Sequence, residues 1–126
     1  MADKVEKNLF DLLLESDNLV DKTKELEVTR LTKKLGKQFI VTIKSLTQEE
    51  IEECFNGKEE KKDFILESVS IDGKSLKDKA LLDKFNVKIA RDVIGRIFNN
   101  GEINWLYVEI LKLNGLSGNT VIELKN

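Results

Sequence analysis

The stretch GEINWLYVEILKLNG, residues 101–115, limits most sharply what this chain can fold into. At 100° per residue, Ile103, Leu106, Tyr107, Ile110, Leu111 and Leu113 fall on one broad half of a helix. Glu102, Asn104, Glu109 and Lys112 fall on the other. A helix with so wide an apolar side must pack against other elements, which predicts a folded core. Trp105 and Val108 lie among the polar residues, away from that side. Tryptophan is enriched at binding hot spots, so these two residues are candidate partner contacts unless another helix, such as the N-terminal one, covers them.

The rest of the chain supplies short elements. Asp3, with Glu6 three residues on, can cap a helix over 3–17. In it Val5, Leu9, Leu12 and Leu13 recur at helical spacing, and Phe10 and Leu14 widen the stripe. Phe10 and Leu14 are therefore the second pair of candidate partner-binding residues. Residues at about 25–45 read as a β-hairpin, with Leu26 and Val28 in one strand, Phe39, Val41 and Ile43 in the other, and the break at Gly36. Thr47 and Glu50 form a capping box for a helix that runs to Gly57. Residues 58–63 read as a charged connector, and 64–71 as either helix or strand. DGKS at 72–75 is a turn, 76–85 a short helix, and 87–98 another, closed by Asn99-Asn100-Gly101. NTVIELKN, 119–126, reads as a tail helix. The whole predicts an α+β chain: one small, mostly helical domain over 1–126 with one β-hairpin, helical from 47 onward.

Composition narrows the function. With 126 residues the chain suits one domain. Its net charge of -2 provides no global field for nucleic acid or an anionic membrane. It contains no histidine, and so lacks the commonest general base and the commonest neutral metal ligand. One cysteine makes no internal disulfide, which fits a reducing cytoplasm. No apolar run approaches a membrane span, and the charged N-terminal stretch is not a signal peptide.

Motif tests point away from catalysis. GKS at 73–75 lacks the first glycine of a phosphate loop, because that position is Ser68. As a calcium loop the same stretch places Lys79 where a bidentate glutamate belongs. Cys54 stands beside Glu50, Glu52 and Glu53, which raise a thiol pKa, and reads as a half-buried helix residue. The chain predicts no enzyme, no cofactor and no metal.

Residues 22–44 hold seven basic residues against two acidic ones, a local patch of the kind that nucleic acid requires. Phe39 is the only aromatic there, so a stacking platform is missing. Residues 45–60 carry six acids against one base and cancel the patch. Lys33, Lys34 and Lys37 read as solvated; if they act, they meet acidic protein surface. That polarity fits head-to-tail self-association, so a homo-oligomer is a possible state.

Three stretches carry a resemblance: LEVTRLTKKLGKQFIVTIKSLTQEEIEE at 26–53, LKDKALLDKFNVK at 76–88 and GEINWLYVEILKLNGLS at 101–117, with the closing IELKN. In this order they resemble the XkdN-like tail assembly chaperones of phages and PBSX-type defective prophages with contractile tails. Gln38, Ile89 and Ala90, and the Asn99-Asn100-Gly101 entry, depart from the family's usual proline-containing positions. The resemblance implies a non-enzymatic protein of the bacterial host cytoplasm. It implies binding to the tape measure protein before tail-tube polymerisation, and absence from the mature particle. A tail terminator or adaptor subunit is the alternative, and a small nucleic-acid-binding regulator a lesser one.

Overall fold

The computed structural model describes residues 6–118 and 120–124. The first helix, α1 (Leu9–Glu15), is capped by Asn8, whose side chain accepts the Asp11 backbone N–H at 2.9 Å. It is shorter than the expected 3–17, because Asn8 caps as well as Asp3 would and sits closer to the leucines. The Asp3 cap itself lies outside the described residues.

Strand β1 (Thr23–Glu27) pairs antiparallel with β2 (Ile40–Lys44), from Thr23 opposite Lys44 to Glu27 opposite Ile40. The expected hairpin at about 25–45 therefore keeps its pairing but loses its tight turn. Between the strands lies a helix, α2 (Thr29–Leu35). Leu31 and Leu35 are one helical turn apart, and Gly36 ends the helix with φ +74°, a left-handed cap that glycine adopts without strain. Val28 is consequently the N-cap of α2 and is buried, rather than a strand residue. The Thr32 hydroxyl closes the unit, donating to Glu27 (2.7 Å) and accepting the Phe39 N–H (2.8 Å).

Thr47 and Glu50 form the expected capping box on α3 (Gln48–Asn56). The stretch 64–71 proves to be both of its alternatives. Helix α4 (Glu60–Ser68) takes in four of the six connector residues and runs straight into β3 (Val69–Ile71). Asp72 and Gly73, with φ +52° and +78°, make the two-residue turn to β4 (Lys74–Ser75). The sheet thus has four antiparallel strands in sequential order β1-β2-β3-β4. This enlarges the single hairpin and keeps the α+β class.

Helix α5 (Lys79–Lys84) is capped by Asp78. The helix expected over 87–98 shrinks to a 3-10 turn (Ala90–Val93) and α6 (Ile94–Ile97). Its start has no side-chain cap, and Val87, Ile89 and Val93 are β-branched. Asn99 does not close it. Instead Asn99 forms a capping box with Glu102 and opens α7 (Asn100–Leu113). Residues 120–124 are not helical, so the expected tail helix is absent from them; Asn119, Lys125 and Asn126 lie outside the described residues.

The core gathers around α4, which packs on α3, α7 and β2. Phe64, Ile65, Leu66 and Ser68 are all buried. A helix buried around so much of its girth has little amphipathic period to read. Phe64 meets Phe55 edge-on at 5.0 Å and Tyr107 at 5.6 Å, joining α3, α4 and α7. The Ser68 hydroxyl donates to the Lys44 carbonyl (2.8 Å) and accepts the Lys44 N–H (3.1 Å). It thereby extends the β2–β3 ladder one step past Ile43 and Val69.

Candidate partner-binding surface

Helix α7 is held to the sheet side by two ion pairs that flank Trp105. The Arg30 guanidinium donates to Glu102 through Nε (2.9 Å) and Nη2 (2.8 Å), and Nη2 also reaches the Ile97 carbonyl at 2.8 Å. Lys24 on β1 reaches Glu109 at 2.6 Å. Hydrogen bonds from Arg30 and Lys24 are the main reason that the Glu102 and Glu109 carboxyls titrate below the usual carboxylate range. Four residues therefore tie α7 to β1 and α2, and Trp105 stands between the two ties.

Trp105 remains 65% exposed. Among the described residues no helix covers it, and α1 has no buried residue of its own. Its ring borders a hollow of about 280 Å³ with Leu26, Val28 and Leu106 as apolar walls. Val108, the other candidate on α7, is partly buried and does not line that hollow. Phe10 and Leu14, the candidates on α1, are 68% and 71% exposed, and neither lines the hollow beside Trp105. The structure thus presents two separate apolar features, the α7 tryptophan and the α1 helix. The expected inward half of α7 is occupied as read, with Ile103, Leu106 and Ile110 buried.

A larger groove went unread in the sequence. About 660 Å³ in volume, it has Leu31, Leu35, Phe39, Ile71, Leu81 and Phe85 among its lining. Lys34, Lys74 and Arg96 stand on its rim, with Asp72 and Asp78, and the Arg96 guanidinium lies over the Phe85 ring at 5.9 Å. The signal was present as Leu31 and Leu35 at helical spacing before Gly36, but those residues read as a turn. The basic stretch 22–44 is also redistributed. Lys24 and Arg30 are paired to α7, while Lys33, Lys34 and Lys37 are exposed and Lys34 borders the groove.

Other chemistry is quiet. Cys54 is buried rather than half-buried, and burial, with nearby carboxylates, pushes its thiol up to about 11. Thiol-specific reagents at pH 8 are accordingly expected to label the folded chain far more slowly than the urea-unfolded chain. Equal rates would show that the α3–α4 contact opens readily. The Tyr107 hydroxyl donates to Glu60, and burial raises the phenol to about 12. Among the described residues no cluster of acidic or sulfur side chains is arranged to hold a metal ion, and no helix is long and apolar enough to cross a membrane.

Comparison with known proteins agrees with this architecture. The crystal structure of the protein YqbN superposes with a TM-score of 0.59, covering 89% of this chain and 98% of that one at 19% identity. Likeness at that identity speaks to the fold. No curated protein matches. A family model described as phage XkdN-like tail assembly chaperone protein matches residues 53–124, from the middle of α3 through α4, the β3–β4 turn and all of α7. The match spans more than half of the sequence, and the chain belongs to the phage XkdN-like tail assembly chaperone family.

Proposed function

We propose that this chain binds the tape measure protein in the bacterial host cytoplasm and shields it until tail-tube subunits polymerise around it. The role is one of binding, without catalysis, and the protein then leaves. The observation that carries the reading is the 65% exposure of Trp105 on a helix pinned on both sides by ion pairs. A large aromatic side chain held on a rigid element loses little entropy when a partner covers it. Phe10 and Leu14 on α1 offer a second contact, and Val108 lies one turn beyond Trp105. An apolar stripe of a long partner helix suits such contacts, and many copies along one partner gain avidity from weak individual binding.

The test is co-expression with the long tape measure protein, followed by a pull-down. Wild type is expected to keep the long protein soluble and to co-purify with it. Trp105→Ala is expected to weaken the complex by about 2 kcal/mol or more, roughly thirtyfold, as hot-spot residues do. A tape measure protein that stays insoluble beside the wild type, or this chain at stoichiometric levels in mature particles, would overturn the proposal.

A further inference from the structure

Helix α1 and the large groove are complementary surfaces. Leu9, Phe10, Leu12, Leu13 and Leu14 fill a broad apolar arc of α1, while Asp11 and Glu15, four residues apart, line one polar edge. Every residue of α1 is exposed. A helix of 7 residues is too short to persist alone in water, so it needs a surface to lie against. The groove supplies the opposite pattern. Its lining is mostly apolar, Leu35 is 65% exposed within it, and beside Arg30, which is tied to Glu102, the cations Lys34, Lys74 and Arg96 stand against Asp72 and Asp78. Glu15 pairs with Lys7 at 2.6 Å, but both side chains are about half exposed, and such a pair costs little to exchange.

We infer that α1 of one copy docks in the groove of a second copy, with Leu9, Leu12 and Leu13 on the floor and Asp11 and Glu15 toward Lys34, Lys74 and Arg96, leaving Phe10 and Leu14 on the side turned away. The connection to β1 favours the second copy over the chain's own groove. Seven residues, Ser16 to Lys22, link α1 to β1 and span at most about 25 Å. Thr23 stands at the end of β1 away from the groove, which lies past the Glu27–Ile40 end, beside Phe39 and Ile71. Strand β1 alone accounts for about 14 Å of that path. A chain folding back on itself would use more than half of the linker's reach running back along β1 before α1 met the groove, a constraint that docking in a second copy does not carry. The contact joins unlike surfaces, helix to groove, and so is of the head-to-tail kind.

The experiment uses the purified full chain alone, so its outcome is independent of tape measure binding. Sedimentation is measured from micromolar to millimolar protein for wild type, Leu13→Asp and Leu35→Asp. Leu13 and Leu35 are exposed, and unchanged far-ultraviolet circular dichroism checks that both variants fold. Wild type is expected to associate with rising concentration. Each variant is expected to stay monomeric, because one lacks the helix and the other the groove. An equimolar mixture of the two is expected to recover a heterodimer, since each brings the half that the other lacks. A wild type that is monomeric throughout, association that survives both substitutions, or a mixture that stays monomeric would each overturn the inference.

Discussion

Phe64→Ala is expected to lower the stability of the folded chain by about 3–5 kcal/mol, as large-to-small changes of buried aromatic residues do. The ring is fully buried and touches Phe55 and Tyr107 edge-on, so its loss opens a cavity where α3, α4 and α7 meet. Neighbouring elements cannot easily close that gap. Helix α4 is held at its end by the Ser68 hydroxyl on Lys44, and near its start by Asp63, which accepts from Arg91 at 2.7 Å. The measurement is urea unfolding, in which the midpoint should fall without a change of slope. A loss under about 1 kcal/mol would mean that the three helices repack around the gap and are not held rigidly at this junction.

Helix α7 offers a sharper contrast, because one element carries a structural side and a binding side. Ile110→Ala is expected to cost about 2–5 kcal/mol, since the side chain is fully buried. Trp105→Ala, on the exposed side, is expected to shift stability by no more than about 0.5 kcal/mol. The same pair should reverse in a binding assay, where Trp105→Ala is the damaging change. A strongly destabilised Trp105→Ala would place the indole in the core and remove its candidacy as a partner contact. Both variants are read by thermal and urea unfolding, and binding is compared only at temperatures where each is folded.

Much of this arrangement was legible from residue spacing. The two sides of α7, the Thr47–Glu50 cap and the Asp72-Gly73 turn depend on contacts within a few residues, and local chemistry determines them. The misread elements have physical causes of two kinds. Helix α4 hid because burial on several sides erases the 3.6-residue period, leaving FILESVSI to read as either helix or strand. Helix α2 hid because seven residues between two strands look like a long turn, and Gly36 serves a helix end as well as it serves a hairpin. Asn99 was a boundary assigned to the wrong neighbour, since asparagine before glycine can end one helix or cap the next. The ties from Arg30 to Glu102 and from Lys24 to Glu109 span 72 and 85 residues, and no local pattern announces them. The groove followed α2 into obscurity, as its floor needs Leu31 and Leu35 on a helix beside Ile71 and Leu81.

The sequential order of the sheet bears on when the protein becomes usable during its own synthesis. Each strand pairs with the next one along the chain, so all three ladders can close once residue 75 has emerged from the ribosome. Nearby pairings of this kind form quickly, because little loop entropy is lost. The core is unfinished at that moment, since the inward side of α7 arrives only with residues 103–110. The segment that seals Phe64 and sets out Trp105 therefore leaves the ribosome after the whole sheet has done so. A nascent chain halted before α7 is expected to hold its strands yet remain protease-sensitive, and translation past residue 113 should confer protection and the binding surface together.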